Sequence, residues 1–371
     1  MREMPHDCFS RSGFGSIDAA NGLVPRETFQ AESPLRLYVP YTTEESREST
    51  PGFPVKVNKK ENTTMTRPLI IDTDPGIDDA AAIAILFNNP EFDVRLIASV
   101  SGNVGIGHTT RNALKLLTFL GSRIPVARGA QAPLLRDNQF ATEAHGKSGM
   151  GSFEFPEADQ SLLLDDNAVL AERKVLMESD EPVTLLTIGP LTNIALLLAT
   201  FPEVKSHIAE IIMMGGSTER GNIGVYGEFN ISVDPHAAKM VFRSGIPVTM
   251  VGLDIGRKAR LTVEDLDRMG DGGEVGRMVS DLFRSYDGGH IEDGVKMYDP
   301  SAAMFLLEPE LFEVRDAFVD VEVSSPITMG ATVVDFDGIL GQAVNAKVCV
   351  DVDVDAFREH YVERVLKARR H

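Results

Sequence analysis

The segment Asp72-Thr-Asp-Pro-Gly-Ile-Asp-Asp79 carries four carboxylates in eight residues. So dense a cluster is costly to ionise in full without a cation, and carboxylate oxygens are the donors that calcium and magnesium select. Calcium tolerates the looser geometry, with oxygens at about 2.3–2.6 Å. An ion held there can also activate water. The apolar run Leu69-Ile-Ile71 reads as a buried strand, and Pro75-Gly76 turns the chain into a helix expected over residues 78–88. Asp72 and Asp74 then fall at the strand's carboxyl end. Asp78 and Asp79 enter the first helical turn, where unpaired N–H groups and the helix dipole favour negative charge. A single acid in this position usually caps its helix. Four together point to a metal centre.

The elements that must position this loop follow a regular pattern. Further strands are expected at Arg95-Leu-Ile-Ala-Ser-Val100, Pro125-Val-Ala127, Val183-Thr-Leu-Leu-Thr-Ile188, Ile211-Ile-Met-Met214 and Val248-Thr-Met-Val251. Helices are expected near residues 108–120, 167–178, 190–199 and 235–242, and less regularly at 263–269 and 276–286. A β-rich stretch over 318–350 and a last helix over 355–370 complete the chain. Continuous apolar strands separated by helices predict an α/β fold, a single domain over 67–371 with a mostly parallel central sheet flanked by helices. In open sheets of this kind ligands sit beyond the carboxyl ends of the strands. Residues 1–66 are rich in Ser, Thr, Pro, Glu and Arg, with one short apolar patch at Leu35-Arg-Leu-Tyr-Val39. They read as a disordered N-terminal extension, and Met65 is an alternative translation start.

The 371 residues carry a formal net charge of -19 and a pI near 4.9. That balance argues against nucleic acid and anionic membranes as partners. No apolar run has the length of a bilayer span, and the N-terminus lacks the apolar core of a secretory signal. Two distant cysteines, Cys8 and Cys349, support neither a disulfide framework nor a zinc site, so a cytoplasmic protein is expected. A strand-end Asp-x-Asp also occurs in phosphatases of the haloacid dehalogenase type, which makes a metal-dependent phosphatase the competing enzyme class. Asp254 is a candidate for its second acid, but no lysine suits its phosphate site. A non-catalytic protein that binds calcium or nucleosides is the third reading.

From Pro68 to the C-terminus the chain resembles the nucleoside hydrolases, the inosine–uridine-preferring N-ribohydrolases. Asp72-Thr-Asp-Pro-Gly-Ile-Asp-Asp79 matches that family's N-terminal signature. Ser101-Gly-Asn103, Ile188-Gly-Pro-Leu-Thr-Asn193, Met214-Gly-Gly216, Gly221-Asn222, Glu228-Phe-Asn230 and Asp234-Pro235 follow in the family's order. The resemblance implies an open, Rossmann-like fold, a homodimer or homotetramer, and hydrolysis of ribonucleosides to ribose and free base in nucleoside salvage. It implies Ca²⁺ held by Asp74, Asp79 (bidentate), the carbonyl of Ile188 and Asp299, with Asp74 as the base that deprotonates water. Asp78, Asn103 and Asn230 would meet the ribose 2′- and 3′-hydroxyls, Asn222 and Glu228 the 5′-hydroxyl, with Phe229 and Met214 lining the pocket.

Departure of the base is less legible. His145, in Ala144-His145-Gly146, matches the family's active-site histidine and could bind the base or assist its protonation. The family's other histidine is replaced by Tyr298, immediately before Asp299. Tyrosine, with an ordinary pKa near about 10, is a weak acid for that role. His290 and Tyr226 are further candidates, and Gly149–Gly151 and Gly288-Gly289 are expected to let loops move. His236 is expected to be structural or exposed. Asp351, Asp353 and Asp355 lack the glycine and distal glutamate of an EF-hand and are expected to form a solvated turn.

Overall fold

The computed structural model describes residues 66–87, 89–286 and 291–370. The N-terminal extension with Cys8 and Met65 lies outside them, as do His290 and Gly288-Gly289. The described residues belong to one compact unit.

The first half alternates strand and helix: β1 (Arg67–Thr73), α1 (Ile77–Leu86), β2 (Phe92–Ser99), α2 (Ile106–Leu120), β3 (Val126–Arg128) and α3 (Thr142–His145). It continues through β4 (Leu163–Asn167), α4 (Ala168–Glu178), β5 (Val183–Thr187), α5 (Thr192–Thr200) and β6 (Ile208–Met214). Two helices, α6 (Phe229–Val233) and α7 (Pro235–Phe242), lead to β7 (Val248–Val251) and α8 (Leu253–Lys258). A small antiparallel ribbon of β8 (Arg260–Leu261) and β9 (Val295–Lys296) brackets α9 (Val263–Gly270) and α10 (Glu274–Arg284). After α11 (Asp299–Leu307) come β10 (Phe312–Val321), β11 (Thr332–Asp335), β12 (Ala346–Val352) and α12 (Val354–Lys367).

Ten strands form one sheet in the order β11-β10-β12-β7-β6-β5-β1-β2-β3-β4. From β4 across to β12 every pairing is parallel, and only β10 pairs antiparallel, with β11 and β12. The sheet is therefore mostly parallel, as the apolar runs predict. It carries one strand more on its β4 edge than the sequence pattern shows, because β4 is Leu-Leu-Asp-Asp-Asn and largely exposed. The β-rich stretch also begins earlier than expected, at Phe312.

The chain leaves β1 for β2 on one side and returns for β5 on the other, so β1 and β5 flank a topological switch point. There the loops from the two carboxyl ends diverge and open a crevice. α1 starts in that crevice and every one of its residues is buried. Its run of Ala80, Ala81 and Ala82 lets α10, α11 and α12 pack close around it. The acidic loop is thus held between the sheet and a helical layer.

One expectation holds here and another changes. Asp351, Asp353 and Asp355 are exposed, as expected, and the Asp353 carboxylate also accepts from Ala356 N (3.1 Å) and caps α12. Gly149–Gly151 is pinned. Gly151 N donates to His145 O (3.2 Å), and Asn112 Nδ2 donates to Ser148 O (2.7 Å) and Pro75 O (2.9 Å). Cys349 is a buried thiol pushed up to about 12 by burial, in keeping with an inert role.

Candidate active site

Asp79 is the most heavily bonded acid of the loop. Its Oδ1 accepts from Thr73 Oγ1 (2.5 Å) and Asp74 N (3.2 Å), and its Oδ2 from Gly76 N (2.8 Å) and Asn103 Nδ2 (3.1 Å). The bond from Gly76 N also caps α1, so the residue that enters the metal cluster is the one that starts the helix. Asp74 accepts at Oδ2 from Asn103 N (2.6 Å), while its Oδ1 has no partner. A Cβ at Gly102 would lie 2.0 Å from Asp74 Oδ2, and one at Gly189 2.7 Å from Asp74 Oδ1. Only glycine lets both loops come this close.

Oxygens of Asp78, Asp79 and Asp299 lie within 4.8 Å of one another, all in buried residues. Burial pushes the carboxyls of Asp74 and Asp299 well above their usual range, and the neighbouring aspartates push them further. Asp78 is pushed up to about 6, mainly by burial, with Oδ1 unpartnered. Among the described residues no lysine or arginine forms an ion pair with these acids; His145 Nδ1 lies 3.9 Å from Asp78 Oδ1. Crowded hard oxygens, two of them orphaned, are the donor set of a divalent cation, and the residues present fit one.

The metal set implied by the sequence is brought together, with one difference. The tightest trio includes Asp78, and Asp74 stands beside it. Ile188, directly after β5, is buried, and its carbonyl accepts from Asn230 Nδ2 (3.1 Å), which also donates to Met214 O (3.1 Å).

Above the cluster lies a cavity of about 450 Å³. Asp78, Asn103, Ile188, Met214, Asn222, Glu228, Phe229 and Asn230 all line it, as do His145, Tyr298 and Asp299. Asp74 and Asp79 are fully buried beneath this wall. Glu228 caps α6, with Oε1 accepting from Asn230 N (2.9 Å) and Oε2 from Gly216 N (3.0 Å) and Ile231 N (3.0 Å). Burial raises it to about 7 against the pull of those donors. Its buried charge has the backbone partners it requires.

His145 ends the short helix α3 and is buried against Tyr286, ring centroids 5.2 Å apart. Burial lowers its pKa to about 4, and Nδ1 accepts from Ile77 N (3.2 Å). The imidazole is therefore neutral with its proton on Nε2. Tyr298 lines the cavity, but burial pushes it up to about 12. Tyr226 is exposed and lies off the cavity wall, so it drops out as a candidate.

Two wall residues had no signal in the sequence pattern. Tyr286 follows α10, and Lys296 sits on β9 three residues before Asp299. Among the described residues Lys296 is the only lysine or arginine on the wall, its pKa lowered by desolvation and by the nearby Arg260, Arg257 and Arg220. Asp254 is occupied elsewhere, accepting from Thr218 N (2.6 Å) and Ser217 Oγ (3.1 Å), so the second acid of the phosphatase reading is not at this site.

A buried carboxylate cluster at the switch point of a parallel sheet, opening on a cavity of amides and aromatic rings, suits metal-assisted hydrolysis of a small polar molecule. The family model for inosine-uridine preferring nucleoside hydrolases matches residues 69–359, and the chain belongs to that family. The non-specific ribonucleoside hydrolase RihC of Escherichia fergusonii is 46% identical over 304 residues, covering 82% of this chain and 100% of the relative. Among solved structures, the purine-preferring ribonucleoside hydrolase from Gardnerella vaginalis aligns with a TM-score of 0.76 at 31% identity, covering 81% of this chain and 99% of that one. An inosine-guanosine nucleoside hydrolase aligns with a TM-score of 0.77 at 28% identity, covering 82% and 99%. The protein is an enzyme, a glycosidase acting on N-glycosyl compounds.

Proposed function

We propose that this enzyme hydrolyses the N-glycosidic bond of ribonucleosides to ribose and free base, with Ca²⁺ as its resident ion, in nucleoside salvage. The observation that carries this reading is the trio Asp78, Asp79 and Asp299, crowded within 4.8 Å under a cavity of about 450 Å³. That volume is in the range of small-molecule sites, roughly 300–1,000 Å³.

Asp74, Asp79, Asp299 and the carbonyl of Ile188 would hold the ion. When bound, it supplies Lewis acidity toward water and a grip on vicinal hydroxyls. The free Oδ1 of Asp74 is the acceptor for the proton of the attacking water. Asp78, Asn103 and Asn230 orient the ribose 2′- and 3′-hydroxyls, Asn222 and Glu228 the 5′-hydroxyl, and Met214 and Phe229 close the apolar side. Positive charge developing on the ribosyl ring is stabilised by the carboxylates around it. The departing base needs a proton or a positive charge. His145 is neutral and Tyr298 a very weak acid, which leaves Lys296 as the cationic side chain on the wall and Tyr298 as a hydrogen-bonding partner.

RihC is named for breadth, and its similarity supports a broad base range here. A cytoplasmic location fits the cysteine usage, and a homodimer or homotetramer fits the family resemblance. The test is a panel of inosine, uridine, cytidine and adenosine with calcium supplied, reading reducing sugar. Ribose from several of them is the expected result, and none from any would overturn the assignment.

A further inference from the structure

Asn222 reaches the cavity from the loop that joins β6 to α6. The tip of this loop is a tight turn: Gly221 N donates to Val225 O (2.8 Å), and Asn222 N and Ile223 N both donate to Gly227 O (2.9 Å each). A Cβ at Gly221 would lie 2.1 Å from Gly227 O, so only glycine lets the two legs of the turn meet. Val225 and Tyr226 at its apex are exposed. The turn therefore gains little from burial of apolar side chains, and its place beside the cavity depends on polar contacts at its base.

α8 supplies such contacts along the entering leg. Leu253 N, at the start of that helix, donates to Gly216 O (2.9 Å). Asp254 Oδ2 accepts from Thr218 N (2.6 Å) and Thr218 Oγ1 (2.9 Å). One turn on, Arg257 donates from Nη1 to Arg220 O (2.5 Å) and from Nη2 to Gly221 O (2.8 Å). The two side chains share a face of the helix, with Arg257 Nη1 3.9 Å from Asp254 Oδ1. A planar guanidinium can hold two successive carbonyls at once, which the point charge of a lysine does less well. Carboxylate and guanidinium together grip an amide and two carbonyls of the chain that leads directly into Asn222.

We propose that Asp254 and Arg257 form a clamp that positions Asn222, and that Arg257 thereby sets how strongly the enzyme selects for a 5′-hydroxyl. The inference rests on the 5′-hydroxyl contact proposed above for Asn222. Neither Asp254 nor Arg257 lines the cavity, so both are positioning residues that act through the loop.

The test compares uridine with 5′-deoxyuridine, which lacks only that hydroxyl. kcat and KM are measured on both for the unaltered enzyme, Arg257→Met, Arg257→Lys, Asn222→Ala, and Arg257→Met combined with Asn222→Ala. The unaltered enzyme should prefer uridine, because the missing hydroxyl leaves Asn222 unpaired. Arg257→Met should lose about 10–100-fold in kcat/KM on uridine, the worth of hydrogen bonds from a charged group, and less than about threefold on 5′-deoxyuridine. Arg257→Lys should recover part of that loss. In the Asn222→Ala background, Arg257→Met should cost little more, because both changes act through one contact. Equal losses on the two substrates, no loss on uridine, or additive losses in the combined variant would each overturn the proposal. Hydrogen exchange at the Asn222 and Ile223 amides should also quicken by about tenfold or more in Arg257→Met, and unchanged exchange would overturn the clamp. That readout needs no substrate, so it decides the clamp even if the unaltered enzyme cleaves both nucleosides alike. Such indifference would instead overturn the 5′-hydroxyl assignment and, with it, the selectivity given to Arg257. If Arg257→Met fails to fold, Arg257→Lys carries the same comparisons with smaller losses.

Discussion

Asp74 and Asp79 sit in one turn, yet they differ in what their oxygens still have free. Asp79 accepts from four donors, whereas Asp74 leaves Oδ1 bare. Under the proposed function, that asymmetry suits Asp79 to holding the loop and Asp74 to accepting a proton. Asp74→Asn keeps an oxygen but removes the base, so kcat should fall by about 10²–10⁴-fold with nucleoside binding retained by calorimetry. Near-normal turnover in that variant would move the base elsewhere. Lys296→Met should slow natural nucleosides far more than p-nitrophenyl riboside, whose leaving group needs little help. Equal effects on the two substrates would reduce Lys296 to a wall residue. The acids were legible in the sequence because so many carboxylates at one strand end repel one another unless a cation joins them. Lys296 was not, since a single charge on a short strand has no spacing that announces its neighbours.

At the level of elements, the helical layer behind α1 is fastened by charge. Arg358 on α12 donates to Asp265 of α9 from Nε (3.0 Å) and Nη2 (2.8 Å). Burial pushes Asp265 up, but Thr262 N and Arg358 outweigh it and hold the carboxyl below its usual value. A depressed carboxylate contributes stability above its unfolded pKa of about 3.9, and loses it as pH falls through the folded value. Arg358→Met should therefore flatten the acid limb of a stability-against-pH curve below about pH 4, read by urea unfolding, and leave neutral-pH activity unchanged. An acid limb identical to that of the unaltered protein would show that the pair is screened. Most helices were readable from periodicity, while the edge strand β4 was not. Its Leu-Leu-Asp-Asp-Asn pattern owes its strand geometry to pairing with β3.

For the molecule as a whole, the metal cluster is a stored repulsion that a cation relieves. Chelation should lower the melting temperature, and calcium at about a hundred times its Kd should restore about 2.7 kcal/mol by mass action. In a domain of this size that corresponds to a shift of about 4 °C in a calorimetric scan. A melting temperature indifferent to chelator and calcium would argue against a resident ion. Sedimentation at several concentrations tests the dimer or tetramer directly. Among the described residues no helix is long and apolar enough to cross a membrane.

The acidic loop, its place between strand and helix, the alternating architecture and the family were determined by the sequence alone. Each depends on residues close together in the chain, where spacing and residue type carry the physics. The tertiary structure decided what depends on residues far apart. It buried His145 against Tyr286 and made it neutral. It brought Lys296 to the cavity wall and set Asp78, rather than Asp74, in the tightest acidic trio. Desolvation and hydrogen-bond partners fix the charge of each of these groups, and only the folded chain supplies them.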